Sequence, residues 1–272
     1  MRRTVFFISD GTGITAETLG QSLMTQFDKI NFVCETIPYV NNKEKAQVVY
    51  QQIEQAYQKD GERPLIFATI IDPEISKVLK DSHGMLMDFF QTFINPLENL
   101  LGQQSSHTVG RFHGMQDYNN YMLRIQAVNY ALSCDDGINT KEYEKADILL
   151  LGVSRSGKTP SCLYLAMQFG IFAANYPFVE DDFNILRLPE HLQPFRDKLF
   201  GLTIDPHRLN EIRNERRPNS NYADLKQCKY ECAEIENIFK KENIPFLSTT
   251  NRSIEEIASK ILANTGIKRR LL

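Results

Sequence analysis

The sequence predicts an α/β protein built from two βαβ-type halves with parallel sheets, the C-terminal half being a P-loop kinase-like domain. Three observations carry this. Short apolar runs rich in β-branched and aromatic residues alternate with segments of helical periodicity, the order that builds a parallel sheet covered by helices. A glycine loop follows the first apolar run of each half, at 10–13 and at 152–157. The second loop, Gly152-Val153-Ser154-Arg155-Ser156-Gly157-Lys158-Thr159, satisfies the phosphate-loop pattern G-x-x-x-x-G-K-[ST] between an apolar strand and a helix.

Taken in order, Thr4 to Ser9 reads as a buried strand that stops at Asp10-Gly11-Thr12-Gly13, and Ala16 to Met24 has helical spacing. Asn31 to Val40 reads as a strand stopped near Pro38, Lys43 to Lys59 as an amphipathic helix, and Pro64 to Ile71 as a strand closed by Asp72-Pro73. Residues 102–120 lose periodicity and are rich in Gly, Ser, Gln and Asn, so they read as a linker or functional loop. A helix over Tyr121 to Ser133 follows, ended by Asp135-Asp136-Gly137. Asp147 to Leu151 is a continuous apolar strand, Cys162 to Phe169 is helical, and Phe172 to Tyr176 and Leu199 to Ile204 are further strands. The expected domains are therefore 1–105, a linking loop and helix over 106–146, and 147–272. Short echoes such as "TIIDP" and "LTIDP" fit an internal duplication, although βαβ units produce such matches readily.

At 272 residues, with 42% hydrophobic and 24% charged residues, the chain has the composition of a globular domain pair. A net charge of -3 argues against nucleic acid or anionic membrane as the main partner. No apolar run is long enough to span a bilayer, and the basic N-terminus lacks the apolar stretch of a signal peptide, so a cytoplasmic location is expected. Five scattered cysteines without a Cys-x-x-Cys pair indicate reduced thiols. Cys228 and Cys232 fit a buried pair of small residues.

A diphosphate carries dense negative charge, and loop N–H groups with a helix N-terminus meet it with fixed partial positive charge. Gly152, Val153, Ser154, Arg155, Ser156, Gly157, Lys158 and Thr159 are thus the candidate nucleotide-binding residues. Lys158 is placed as a point charge on the terminal phosphate, and the Thr159 hydroxyl as a ligand for Mg2+ held with the nucleotide. Such sites also need a carboxylate at a neighbouring strand end. Asp205, closing "KLFGLTID", is the candidate for metal or nucleophile, Asp72 is the reserve, and a plain helix cap is the competing role for both. The loop at 10–15 suits a smaller anion or is a turn capped by Thr15. Arg208, Arg213, Arg216 and Arg217, interleaved with Glu211 and Glu215, read as a solvated helix laced with ion pairs. Lys268-Arg269-Arg270 reads as a frayed tail. His107 and His113 are the histidines to test, and the 102–120 loop is the expected partner contact.

The stretches "ISDGTGITAE", "LGVSRSGKTP", "AANYPF" and "FGLTIDPHRL" together resemble the bacterial phosphoenolpyruvate synthase regulatory proteins, with likeness from Arg3 to Arg270. The resemblance implies a bifunctional serine/threonine kinase and pyrophosphorylase. It implies phosphorylation of one threonine of phosphoenolpyruvate synthase with ADP as donor, which inactivates the target, and removal of that phosphate by inorganic phosphate with release of pyrophosphate. The related group acting on pyruvate, phosphate dikinase shares most of these motifs, but Gly157 and "NYPF" favour the synthase. Cys134 stands before Asp135-Asp136-Gly137 where the family usually has histidine, so any catalytic role of that histidine is missing. Within this expectation Lys158, Asp205, Arg155 and Asp10 are the candidate catalytic residues. Asp205 orients or deprotonates the threonine, Arg155 clamps the phosphoryl in flight, and Asp10 serves the phosphorolytic direction. An ATP-dependent small-molecule kinase and a nucleotide-sensing module without chemistry stay open beside it, as does a homodimer.

Overall fold

A computed structural model describes residues 2–106, 118–185 and 187–271. The chain divides into two compact units, Met1–Gln116 and Asp117–Leu272. Each carries a four-stranded, all-parallel sheet, and the two strand orders correspond.

The first unit runs β1 (Arg2–Ser9), α1 (Ile14–Met24), β2 (Asn31–Ile37), α2 (Lys43–Asp60), β3 (Leu65–Thr69), α3 (Pro73–Lys80), β4 (Met85–Asp88) and α4 (Phe89–Leu101), with sheet order β2-β1-β3-β4. β1 lies in the middle, and Val5 to Ile8 are buried because helices cover both faces. Local chemistry sets the boundaries. Asn42 caps α2 by accepting from Lys45 N at 2.9 Å, and Gly61 ends it in the left-handed region at φ 64°. Asp72 caps α3 with Pro73 in its first turn, and Asp88 caps α4 while accepting from Ser76 Oγ at 2.7 Å. β2 is shorter than the expected strand over 31–40, since Pro38 cannot extend the ladder and Tyr39 turns at φ 59°. β4 and α4 have no counterpart in the sequence reading: β4 has four residues, too few for a periodic signal.

The second unit runs α5 (Tyr118–Ser133), β5 (Ile148–Gly152), α6 (Lys158–Phe169), β6 (Ala173–Pro177), α7 (Glu180–Ile185), β7 (Leu199–Thr203), α8 (Pro206–Arg216), α9 (Leu225–Lys241), β8 (Phe246–Ser248) and α10 (Ile254–Thr265), with order β6-β5-β7-β8. α5 packs within this unit through Ala127 and Ala131. Residues 107–117 lie outside the described residues, and with them His107, His113 and most of the expected partner loop. Every residue of β5 is buried, and alternation sends its side chains to opposite faces. Leu149 and Leu151 pack with Cys228, Cys232 and Ile235 of α9, whereas Ile148 and Leu150 pack with Leu165 of α6 and Ile261 of α10. The expected frayed tail is instead anchored: Arg270 Nη2 pairs with Asp147 at 2.5 Å, Arg269 stacks over Phe169 at 4.7 Å, and Leu271 is buried.

Gly201 in β7 is required by packing. A Cβ there would lie 2.5 Å from Phe239 Cε2, and Phe239 is itself wedged beside Phe178 and Phe246. Gly201→Ala is expected to lower the unfolding free energy by about 1–3 kcal/mol in urea titration. An unchanged midpoint would mean that Phe239 moves aside.

Candidate active site

The loop between β5 and α6 is shaped by steric need at two glycines. A Cβ on Gly152 would sit 2.5 Å from both Leu202 O and Ser156 Oγ, so only glycine fits where the strand ends. Arg155 at φ 76° and Gly157 at φ 88° are left-handed and turn the chain back into the helix. Gly157 gives α6 no side-chain cap. The N–H groups of the first helical turn are thereby left for a ligand, and they carry the positive end of the helix dipole. Ser156 Oγ is buried without a hydrogen-bond partner among the described residues. A buried hydroxyl of this kind is stabilised by an acceptor, and a phosphate oxygen is one.

Lys158 is only 4% exposed, and its Nζ donates to Val153 O at 2.9 Å. Burial pulls its pKa down to about 8, against the opposing charges of Asp136 and Asp135. A bound diphosphate favours the ammonium form, so binding raises this pKa and takes up a proton near pH 8.5. Affinity for ADP is therefore expected to be flat below about pH 8 and to fall up to tenfold per unit above it. Calorimetry in buffers of different ionisation enthalpy measures this, and a flat affinity to pH 9.5 would contradict it.

Facing the loop is a carboxylate that sequence reasoning treated only as a helix stop. Thr159 Oγ1 donates to Asp135 Oδ1 at 2.7 Å, and Nδ2 of Asn175, fully buried in the middle of β6, donates to the same oxygen. Asn175 Oδ1 in turn accepts from Asp136 N at 3.1 Å, and Tyr143 Oη donates to Asn175 O at 3.0 Å. Asp136 and Gly137 adopt φ 49° and 74°, which bends the turn toward α6. The signal in the sequence was the pair Asp135-Asp136 directly before a glycine, but the spacing of 24 residues to Thr159 hides their meeting. Asp135, Asp136, Lys158, Thr159, Arg155 and Arg216 line a cavity of about 540 Å³. Cys134 is fully buried, with its thiol 4.0 Å from Asn139 O, and it does not line this cavity.

Hard oxygen donors at Thr159 and Asp135 match the preference of Mg2+. Among the described residues no group of three or more His, Cys, Asp or Glu could hold a metal by itself. Nucleotide phosphates would have to complete such a coordination shell, as is usual for Mg2+.

Other expected residues sit elsewhere. Asp205 is exposed, caps α8 by accepting from His207 N and Arg208 N at 2.9 and 3.1 Å, and does not line the cavity. Asp72 has the same capping role at α3, because Asp-Pro after a strand is a helix-start signal. Asp10 belongs to the first unit, where Oδ2 accepts from Ile71 N at 2.8 Å. Burial raises its pKa, and the Ile71 bond opposes that rise. Gly13, not Thr15, caps α1. Arg208 does form a surface pair with Glu211, but Arg213 departs from the expected solvated helix. It is 1% exposed, pairs with Glu231 at 2.6 Å and donates to Ser154 O at 3.1 Å. Its guanidinium lies 4.2 Å from the ring of Tyr222, whose hydroxyl meets Ser154 Oγ at 2.9 Å. This group holds the β5–α6 loop from one side.

A glycine-shaped loop with a buried lysine and a carboxylate opposite suits a protein that handles phosphoryl groups. Residues 5–262 match the kinase/pyrophosphorylase family, and the chain belongs to it, which makes it a phosphotransferase. It is 56% identical over 271 residues to a protein of Stutzerimonas stutzeri strain A1501 provisionally named phosphoenolpyruvate synthase regulatory protein, with 100% of both chains covered. Proteins of the same name from Ectopseudomonas mendocina strain ymp and Legionella pneumophila strain Corby are 55% and 54% identical over 271 residues, again across 100% of each chain. No helix among the described residues is long and apolar enough to cross a membrane.

Proposed function

We propose that this protein is a cytoplasmic, bifunctional regulator of phosphoenolpyruvate synthase. It phosphorylates a threonine of the synthase from ADP and removes that phosphate with inorganic phosphate. The observation that carries the reading is the convergence of buried Lys158 with the Thr159–Asp135 pair on one cavity. In the forward direction the threonine Oγ attacks the β-phosphorus of ADP, an O–P bond forms, and the bridging Pα–O–Pβ bond breaks to release AMP. Asp136, lining the same cavity, takes the threonine proton, a role the sequence had suggested for Asp205. Asp135 orients Thr159, and Lys158 with the loop N–H groups offsets charge growing on the transferred group. Arg155 lines the cavity from within the loop and reaches the phosphoryl as it moves. Thr159 and Asp135 would hold Mg2+ together with the phosphates, and the ion would supply charge neutralisation. In the reverse direction an oxygen of inorganic phosphate attacks phosphothreonine, pyrophosphate forms, and the departing threonine oxygen recovers a proton.

The test mixes purified protein with phosphoenolpyruvate synthase or pyruvate, phosphate dikinase, ADP and phosphoenolpyruvate, and maps threonine phosphorylation by mass spectrometry. Modification of the synthase with AMP formed in equal amount is expected. Preference for ATP, or for the dikinase, would replace the reading with the corresponding alternative.

A further inference from the structure

The phosphate loop separates two cavities of unlike chemistry. On the β6 side lies the acidic cavity with Asp135 and Asp136. On the β7 and β8 side is a second cavity of about 340 Å³, which shares Arg155, Gly157 and Pro160 with the first. Its walls are Ile204, Ile212, Ile254 and Ile257, with Arg208 and Arg252 also lining it. Four isoleucines give it an apolar side, and Arg208, Arg252, Thr249 and Thr250 give it a polar one. A flat, largely apolar group beside guanidinium planes suits it well, since arginine stacks on π-systems. Its volume is at the low end for small-ligand sites, on the order of 300–1,000 Å³.

We propose that this second cavity receives the base and ribose of the nucleoside diphosphate. The inference rests on the proposed ADP-dependent reaction and assigns its nucleoside subsite. The polarity of the reaction supports the placement. In phosphoryl transfer the attacking and leaving oxygens lie roughly in line on opposite sides of phosphorus. The threonine arrives where Asp136 can take its proton, on the acidic side, so the departing AMP lies across the loop, on the isoleucine side. A third cavity, of about 570 Å³, adjoins the acidic one through Ser154 and carries Tyr222, Val179 and the Arg213–Glu231 pair. It therefore lies on the acceptor's side of the loop.

Pyrophosphate has the diphosphate of ADP without the nucleoside, so comparing the two ligands isolates this subsite. Ile254 is half-buried at the start of α10, and Ile254→Trp fills the cavity without altering charge. In calorimetric titrations of the full-length protein, Ile254→Trp is expected to weaken ADP at least tenfold and to leave pyrophosphate within twofold. Arg208→Ala/Arg252→Ala, at two exposed positions, is expected to weaken ADP more than pyrophosphate. Photolabelling with 8-azido-ADP is expected to mark peptides covering 204–212 or 249–257. The proposal is overturned if both variants bind ADP as the parent does, or if labelling falls on 178–183. It is equally overturned if Val179→Arg, an exposed position in the third cavity, selectively weakens ADP. Lys158→Met separates the two levels: it weakens both ligands if the loop holds the diphosphate, and unchanged binding of both would sink the proposed function and this subsite with it.

Discussion

Lys158→Met is expected to lower threonine phosphorylation about a thousandfold while leaving the protein folded and no less stable. The two effects have one origin. The ammonium is buried, and among the described residues its hydrogen-bond acceptor is a neutral carbonyl, Val153 O. Burial against a neutral acceptor stabilises the neutral amine relative to the ammonium, which is why its pKa drops to about 8. Methionine has similar length and no charge, so it removes a desolvation cost from the free protein and the charge from the transition state. Stability is measured by urea unfolding and activity by phosphothreonine formed from ADP. A variant that phosphorylates at the parental rate would show that the lysine does not face the transferred group. One that unfolds much earlier would show that the Val153 bond matters more to the fold than burial suggests.

Asp135→Asn is expected to reduce phosphorylation by about two to three orders of magnitude, with an effect on metal-free ADP binding of less than about threefold. Asparagine keeps an oxygen that can accept from Thr159 Oγ1 and from Asn175 Nδ2, so the local network survives. In the proposed reaction it would lose the charge that holds Mg2+ with the nucleotide. The diagnostic measurement is the Mg2+ dependence of the rate. The variant should need far more Mg2+ to reach its maximum, whereas a merely structural role would leave that dependence unchanged. Asp205→Asn provides the contrast: it keeps a capping oxygen for α8, loses only the charge–dipole interaction, worth about 1 kcal/mol or less, and is expected to leave Mg2+ dependence untouched.

Much of the fold was legible because its signals are local. The continuous apolar run ending in Gly152, the Asp-Pro punctuation at 72–73 and 205–206, and the helical spacing after each glycine loop each arise within about a dozen residues. The strand, glycine turn and helix around 148–169 were legible for the same reason, since pattern and context are contiguous. The carboxylate opposite it was not. Asp135 reaches Thr159 only because α5 and the left-handed Asp136-Gly137 turn bring the chain back against β6, a tertiary event with no periodic trace. Asp205 was the attractive alternative because a strand-end carboxylate signals both metal binding and helix capping, and sequence cannot separate those roles. Arg213 was misread for a similar reason: nearby glutamates suggested surface pairs, while its partner Glu231 lies on the next helix.

The anchored carboxy terminus bears on how the protein should be handled. Arg270 is tied to Asp147, one residue before the strand that leads into the glycine loop, and Leu271 is tucked beneath the end of the following helix. Anything that tugs on 269–271 would pull on the very segment whose register sets the loop, so Arg270→Ala is a change to avoid in any kinetic comparison.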